Sequence, residues 1–398
     1  MKSGNTKVCI VGSSKRFFSG ITTHTIFLAN ALSKRNQVSV ILLRNLLPRF
    51  LFPGREHVGK EQYSIDFNPS IDVYNGMDYN SPRSWLGAYR FLKKHRSDAI
   101  IILWWSSSVA HMQIFLKWAN ALGIKAKIIL EMHEVVDPLE ENILPIRLYS
   151  RIAGRQLIRG LDAYATQSSI DRDKVIDVYH IGESMVHVVP VGLYEDYAQP
   201  MDQALAKQEL YIDKEFVILY FGLIRHYKGV PHLVEAFNSL PSSMAQRSRL
   251  LIVGEVWEDE ELLQSMVDAS PYKNQITLVP QYVPDSMIPK YFSAADVIVL
   301  PYLRASGSGV AHIALLYGKP IILSDVPALR ESLGDYPGSI FVKPGDPLSI
   351  RDNLVSVFEA TESGKDMHYR SQHHTWDDIA HKYEQIIEHL MSAQEDAN

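Results

Sequence analysis

The stretch "ASGSGVAHIALLYGKPII", residues 305–322, opens with glycine and serine and carries no acidic or basic side chain in its first seven positions. The run before it, "ADVIVLPY", is typical of a buried parallel strand. From Val310 onward the apolar residues follow helical spacing, until Gly318 and Pro320 interrupt it. The Gly–Ser segment is therefore predicted to lead into a helix N-terminus, whose free N–H groups favour an anion, above all a phosphate. A tight turn with no ligand is the alternative, and both remain open on this stretch alone.

A second candidate phosphate loop lies in "YFGLIRHYKGVPHLVEAF", residues 220–237. A strand is predicted to end at Gly222, and Pro231 suits the first turn of the following helix. Between them lie Arg225 and Lys228. A planar guanidinium and a mobile ammonium together suit a diphosphate, whose oxygens point in several directions. Two solvated cations of an ordinary loop are the alternative.

The two motifs, "FGLIRHYKG" and "LPYLRASGSGVAHIALLYGKPIILSDVPALRE", resemble those of the family-4 retaining glycosyltransferases with the GT-B architecture. The first half of the chain resembles this family in outline only, through "FFSGITTHTIFLANAL" and "EMHE". The resemblance implies an α/β fold of two facing Rossmann-like, doubly wound parallel-sheet domains, with a C-terminal helix that crosses back to the first domain. It also implies transfer of a sugar from a nucleotide-diphosphate sugar to an acceptor hydroxyl, with retention of configuration and with neither a cofactor nor a bound metal.

The resemblance assigns catalytic roles to three residues. Arg225 and Lys228 correspond to the basic pair that holds the donor diphosphate and neutralises the leaving group. His133 corresponds to a histidine near the sugar. The cluster "HEVVDPLEE" also contains Glu134 and Asp137, but its spacing is not a standard metal-ligand set, so no metal is predicted.

The donor-binding residues implied by the resemblance are small or act through their backbone. They are Gly20, Gly222, Ser308, Gly309 and Val310. Backbone amides and a helix dipole supply donors to a phosphate, which would explain why the loop needs no charged side chain.

The sequence departs from the family where two glutamates are usual ahead of Gly-Lys-Pro. Ala305 and Ile313 occupy those positions, and His312 stands in a variant form of the motif. Glu331 is a candidate acidic substitute for binding the donor. A charge near the start of a helix is the alternative interpretation of Glu331.

Strand-like and helix-like runs alternate along both halves of the 398 residues, which predicts two doubly wound domains. We predict an acceptor-binding domain over residues 1–190, a donor-binding domain over 191–370 and a terminal helix over 371–398 that packs back on the first domain. The apolar face of that helix is formed by Trp376, Ile379, Tyr383, Ile386 and Ile387.

The charge is distributed unevenly. Residues 1–190 contain 24 Lys/Arg and 16 Asp/Glu, a net charge of +8, whereas the whole chain has a net charge of −5. A basic first half fits an anionic partner such as a phosphate or an anionic membrane surface. The segment "RNLLPRFLFPGR", residues 44–55, is a candidate for membrane or acceptor contact, with an ordinary loop as the alternative. No nucleic-acid partner is predicted.

The apolar runs are too short to span a bilayer, and the single cysteine, Cys9, allows no disulfide framework. The expected location is the cytoplasm, including peripheral attachment at the inner face of the membrane.

UDP- and GDP-sugars are the expected donors, and glycans, lipid-linked sugars or small molecules are the expected acceptors. The expected setting is glycosylation of surface polysaccharides, glycolipids or secondary metabolites.

Two other functions fit the same architecture: a sugar-nucleotide epimerase, which would need no acceptor, and a non-catalytic module that binds nucleotide sugars. A dinucleotide oxidoreductase is disfavoured, because no strand end reads G-x-G-x-x-G with an acidic residue about 20 positions later.

Overall fold

The structure, a computed structural model, describes residues 6–16, 20–46, 65–135, 144–195, 199–305, 307–370 and 374–395. The chain divides into two compact units. Unit 1 combines Met1–Gly192 with His374–Asn398, and unit 2 is Leu193–His373. Much of the segment 44–55 lies outside the described residues, as do Phe18, Ser19, Asp137 and Ser306.

Unit 1 contains a sheet of seven parallel strands. The strands are β1 (Lys7–Ser13), β2 (Gln37–Asn45), β3 (Asp72–Asp78), β4 (Ala99–Trp104), β5 (Lys127–Met132), β6 (Ala163–Thr166) and β7 (Val186–Val188). Their order across the sheet is β3-β2-β1-β4-β5-β6-β7. The central strands are apolar on both faces, as expected for a sheet covered by helices on both sides.

In the described residues, five α-helices connect these strands. They are α1 (Gly20–Ser33), α2 (Pro82–His95), α3 (Ala110–Gly123), α4 (Leu144–Ile158) and α5 (Ser169–Tyr179). The chain moves in one direction across the sheet from β3 to β7 and in the opposite direction from β1 to β2. Because parallel crossovers are right-handed, α2 to α5 cover one face of the sheet and α1 covers the other.

Unit 2 contains a second sheet of six parallel strands in the order β10-β9-β8-β11-β12-β13. The strands are β8 (Phe216–Phe221), β9 (Ser248–Val253), β10 (Ile276–Val279), β11 (Val297–Leu300), β12 (Ile321–Ser324) and β13 (Ser339–Val342). Its helices are α6 (Gln203–Glu209), α7 (Val230–Asn238), α8 (Ser242–Arg247), α9 (Glu260–Asp268), α10 (Ile288–Ala294), α11 (Gly309–Leu316), α12 (Pro327–Leu333) and α13 (Pro347–Glu362). The predicted pair of parallel-sheet Rossmann-like domains is confirmed. Among the described residues, no helix is both long enough and apolar enough to cross a membrane.

The last helix, α14 (Trp376–Glu395), packs on α1 in unit 1. All five residues of its predicted apolar face are buried. Trp376 stacks on Phe27 of α1 at 5.4 Å between ring centroids. The Tyr383 hydroxyl donates a hydrogen bond of 2.5 Å to Oε2 of Glu131, a buried carboxylate on β5. The helix therefore contributes both apolar cover and a polar group to the interior of unit 1.

We predict that Tyr383→Phe lowers the free energy of unfolding of the full chain by about 1.5–3 kcal/mol, because a buried carboxylate loses a hydrogen-bond donor. Urea denaturation followed by circular dichroism measures this change. The matched control is Tyr211→Phe, since Tyr211 is 94% exposed and should be neutral. Equal stability of the two variants would show that the hydrogen bond contributes nothing to α14 docking.

Candidate active site

Two loops of unit 2 meet at the carboxyl ends of the adjacent strands β8 and β11. The backbone N–H of Leu303 donates to the carbonyl of Tyr227 at 2.8 Å. Gly229 has a φ of +66°, and a Cβ at this position would lie 2.0 Å from the carbonyl oxygen of Pro301. Only glycine fits here, because any side chain would both strain the backbone and force the loops apart.

Gly222 brings the end of β8 close to the start of α11. Its φ is +118°, and a Cβ would lie 3.0 Å from Cγ2 of Val310. At the end of the neighbouring strand β9, a Cβ on Gly254 would lie 1.9 Å from the carbonyl oxygen of Gly222. Gly222 thus packs closely against both neighbouring segments, and two of these three segments hold residues predicted to bind the donor.

Arg225 is held by a carboxylate that the sequence did not single out. Its Nε and Nη2 donate to Oε1 of Glu258 at 3.1 and 2.9 Å, and the other oxygen of Glu258 accepts from the backbone N–H of His226 at 3.0 Å. Partial burial alone would raise the pKa of Glu258, but these hydrogen bonds and the arginine charge lower it further than burial raises it. The guanidinium also lies near the rings of Tyr227 and Trp257. Arg225 is therefore fixed in orientation.

Lys228 lies over an aromatic ring that connects the two loops. Its Nζ is 3.8 Å from the ring centroid of Tyr302, and the Tyr302 hydroxyl is 3.1 Å from Oγ of Ser308. Burial raises the pKa of Tyr302 to about 12, against a smaller opposing effect of the bond to Ser308. Tyr302 is therefore neutral near pH 7 and links the ammonium to the N-terminus of α11.

Ser308 is the N-cap of α11. Its Oγ accepts from the backbone N–H of Ala311 at 3.2 Å, and its carbonyl oxygen lies 2.8 Å from Nδ1 of the buried His312. The N–H groups of Gly309 and Val310 belong to the first turn and have no acceptor within the helix. The predicted strand and the predicted helix of this motif are both present.

Gly309 does not occupy a backbone conformation restricted to glycine, because its φ lies outside the left-handed region. A Cβ here would make an ordinary contact of 3.5 Å with the ring of Tyr194.

Glu331 is exposed on α12, the helix that follows β12, and β12 is the neighbour of β11 in the sheet. Its role in donor binding stays a prediction.

In unit 1, Gly20 is the exposed first residue of α1, and a Cβ there would contact nothing within 4 Å. His133 follows β5. The tryptophan at the end of β4, Trp104, is packed in the core.

His133 is surrounded by polar groups of its own unit. Oε1 of Glu131 lies 2.7 Å from Nε2 of His24 and 3.2 Å from Nε2 of His133, while Nδ1 of His133 lies 2.8 Å from Nε2 of Gln167. One oxygen of Glu131 therefore lies close to both imidazoles. The ring of His133 is therefore held on both nitrogens.

Burial and charge act in opposite directions within this cluster. Burial would raise the pKa of Glu131, but the electrostatic and hydrogen-bond interactions with His24 and His133 outweigh it and hold the pKa well below its usual range. Burial lowers the pKa of His133, although Glu131 opposes this. The pKa of Tyr383 is raised, first by burial and then by Glu131. Glu131 is thus ionised in the folded protein.

Among the described residues, one group of metal-ligand types lies close enough to hold an ion: His24, Glu131 and His133, whose ligand atoms all lie within 4.8 Å. Two imidazoles and a carboxylate are a donor set that zinc accepts. Of the described part of "HEVVD", residues 133–135, His133 belongs to this group. The second oxygen of Glu131 is already engaged by Tyr383.

Sequence reasoning missed Glu258, His24 and Glu131. Glu258 follows β9, the neighbour of β8, so the rule that parallel strands end at one edge could have placed it near Arg225. Glu131 interrupts an otherwise apolar strand, and a charged residue in such a run usually has a buried partner. The partner residues themselves are far apart in sequence and carry no such signal.

Residues 202–374 match the family described as "Glycosyl transferases group 1". A D-inositol 3-phosphate glycosyltransferase of Segniliparus rotundus is 25% identical over 228 residues, which are 56% of this chain and 50% of that protein. The O-antigen chain mannosyltransferase B of Escherichia coli is 26% identical over 198 residues, 49% of this chain and 51% of that protein. The chain thus spans about half the length of the curated relatives it matches.

Solved structures share the fold over nearly the whole chain. Sucrose-phosphate synthase from Thermosynechococcus elongatus superposes with a TM-score of 0.71 at 15% identity, covering 98% of this chain and 100% of that one. Anabaena HepE in complex with UDP-glucose gives a TM-score of 0.66 at 14% identity, covering 98% and 99%. Residues 202–374 thus match the glycosyl transferases group 1 family, and the chain shares the GT-B fold of these solved structures.

Proposed function

We propose that this protein is a retaining glycosyltransferase that moves a sugar from a nucleotide-diphosphate sugar to an acceptor hydroxyl. The observation that carries the proposal is that the loop containing Arg225 and Lys228 meets the loop before α11, with Lys228 joined to the N-cap Ser308 through Tyr302, inside the unit that matches the family. Two cations and a set of backbone N–H groups at one sheet edge suit a diphosphate.

In the proposed reaction, the bond between the sugar and the diphosphate breaks and negative charge grows on the leaving phosphate. Lys228, Arg225 and the first-turn N–H groups of α11 stabilise that charge, because they are oriented before the reaction begins. Glu258 orients Arg225, and the ring of Tyr302 supports Lys228.

We assign donor binding to unit 2 and acceptor binding to unit 1, where Gly20 and His133 are the candidate residues. Contacts to Glu131 and Gln167 orient the ring of His133. HepE has been solved with UDP-glucose, and one relative is named a mannosyltransferase, so UDP- and GDP-sugars are the first donors to test.

A thermal-shift panel of UDP-, GDP-, ADP- and TDP-sugars identifies the donor, because a ligand at 100 times its Kd stabilises the fold by about 2.7 kcal/mol. Product NMR with that donor then reports the anomeric configuration. An inverted product would contradict the retaining mechanism, and turnover without any acceptor would favour an epimerase.

Lys228→Ala should weaken binding of the donor and lower kcat about tenfold or more, since a charge-assisted hydrogen bond to a phosphate contributes about 1.5–3 kcal/mol. Calorimetry and initial rates measure the two effects. The control is Lys365→Ala, an exposed lysine just after the C-terminus of α13. Unchanged binding and rate in the Lys228 variant would remove this loop from the site.

Gly309→Val should abolish donor binding and leave the fold intact, because the branched side chain would displace a phosphate from the α11 amides. Little backbone strain is expected, since the φ of Gly309 is not left-handed. Gly182→Val is the matched control, because its φ is −61° and a Cβ there contacts nothing within 4 Å. A folded Gly309 variant with unchanged affinity would show that the segment is only a turn.

Transfer should persist in EDTA, because the cations and the helix N-terminus supply the charge that a divalent ion supplies in other transferases. Activity that is lost on chelation and returns with Mg²⁺ or Mn²⁺ would contradict metal independence. Metal analysis of the purified protein, with His24→Ala beside it, would then test the cluster at Glu131.

A further inference from the structure

The outer surface of α2, α3 and α4 in unit 1 combines exposed apolar side chains with basic ones. Helix α3 packs between α2 and α4, on the sheet face opposite α1. The exposed apolar side chains of this surface are Leu86, Trp118, Leu122, Leu144, Leu148 and Ile152. Together with the basic residues of the three helices they form what we call the α2–α4 face.

The apolar side chains form rows along the helices. Trp118 and Leu122 are one turn apart on α3, and Leu144, Leu148 and Ile152 follow one another at the same spacing on α4. Leu122 is 85% exposed and Leu144 is 73% exposed, so these rows do not belong to the core. In unit 2, by contrast, exposed large apolar residues occur one to a helix, as with Leu262 and Leu348. Adjacent exposed rows are typical of an interaction surface.

The charge of the three helices has a single sign. They contain 14, 14 and 15 residues and not one Asp or Glu. Their basic residues are Arg83, Arg90, Lys93, Lys94, Lys117, Arg147, Arg151 and Arg155. Acidic residues lie beyond the helices, in Glu140 and Glu141 before α4 and in α5. The face therefore complements an anionic partner and repels a second copy of itself.

The same combination continues past the end of α4. Arg155 and Arg159 line a cavity of about 500 Å³ whose wall also includes Ile158 and Met185. A guanidinium beside apolar groups is suited to the boundary between charged headgroups and acyl chains.

We propose that the α2–α4 face attaches the protein to a membrane surface that contains anionic lipids. The Trp and Leu/Ile rows enter the boundary between headgroups and acyl chains, and the exposed side chains of Arg90, Lys93, Lys94 and Arg155 contact lipid phosphates. Nucleic acid fits less well, because it offers phosphates but no apolar layer for the rows of Leu and Ile. This inference does not depend on the proposed transferase activity.

Sedimentation of the full chain with vesicles tests the proposal. We expect binding to vesicles of phosphatidylcholine with one-third phosphatidylglycerol, weak binding to phosphatidylcholine alone, and loss of most binding at about 0.5 M salt, where screening is strong. Equal binding to both vesicles, or binding to neither, would overturn the proposal.

Two double variants locate the surface. Trp118→Ser with Leu122→Ser should weaken vesicle binding at least about tenfold, because the variant has lost two apolar side chains that are buried in the membrane on binding. Arg90→Gln with Arg155→Gln should weaken it about 25-fold, since each basic residue near an anionic surface contributes about fivefold.

The matched controls lie in unit 2: Leu262→Ser with Leu348→Ser, and Lys343→Gln with Lys365→Gln, all at exposed positions. They should bind vesicles like the wild-type protein, and circular dichroism confirms that each variant is folded. Vesicle binding that is unchanged in both α2–α4 variants would overturn the assignment. If the wild-type protein ignores vesicles but self-associates through this face in sedimentation velocity, the face is an interface between copies and the membrane proposal is wrong.

Discussion

Parallel pairing of every strand is the constraint on which the other features depend. A parallel strand cannot return by a hairpin, so each connection must cross a face of the sheet and start again at the opposite edge. In unit 2 this brings the loops after β8, β9 and β11 to one edge, where Arg225, Glu258 and Ser308 come from three separate stretches of sequence. The candidate site is a product of this topology more than of any single motif.

The same constraint separates two surfaces in unit 1. Side chains alternate along β5, so Glu131 points away from Leu130 and Met132, which belong to the core under α2 to α5. Glu131 instead reaches α1 and α14, through His24 and Tyr383. The buried ionic cluster and the basic apolar surface therefore occupy opposite faces of one sheet.

Much of the fold follows from the sequence because buried parallel strands are continuous apolar runs. Strands such as β1, β4 and β11 are of this kind, and the run that forms β11 was predicted to be a buried strand. The edge strand β3 was missed, because "DVYNGMD" is exposed over much of its length and has no such run. Helix α2 was missed with it, although Pro82 at its start and Lys and His at its end are ordinary helix signals.

The parts of the site that depend on residues close together in sequence were predictable. The cap at Ser308 and the basic pair could be predicted, because each rests on neighbours within a few residues. The closeness of Glu258 to Arg225 could be inferred from strand order, because the two residues follow the neighbouring strands β9 and β8. The group at Glu131 could not, since it joins residues 24, 131, 133 and 383, and no periodic pattern connects them.

The position of α14 has a consequence for how the protein is made. Unit 1 is discontinuous in sequence, because residues 374–398 complete it after the whole of unit 2 has been synthesised. Until then, Phe27 lacks the ring of Trp376 and the carboxylate of Glu131 lacks the hydroxyl of Tyr383. Unit 2 is contiguous and has all of its own strands when it emerges from the ribosome, so it can fold first, while the interior of unit 1 closes only through contacts of very long sequence separation.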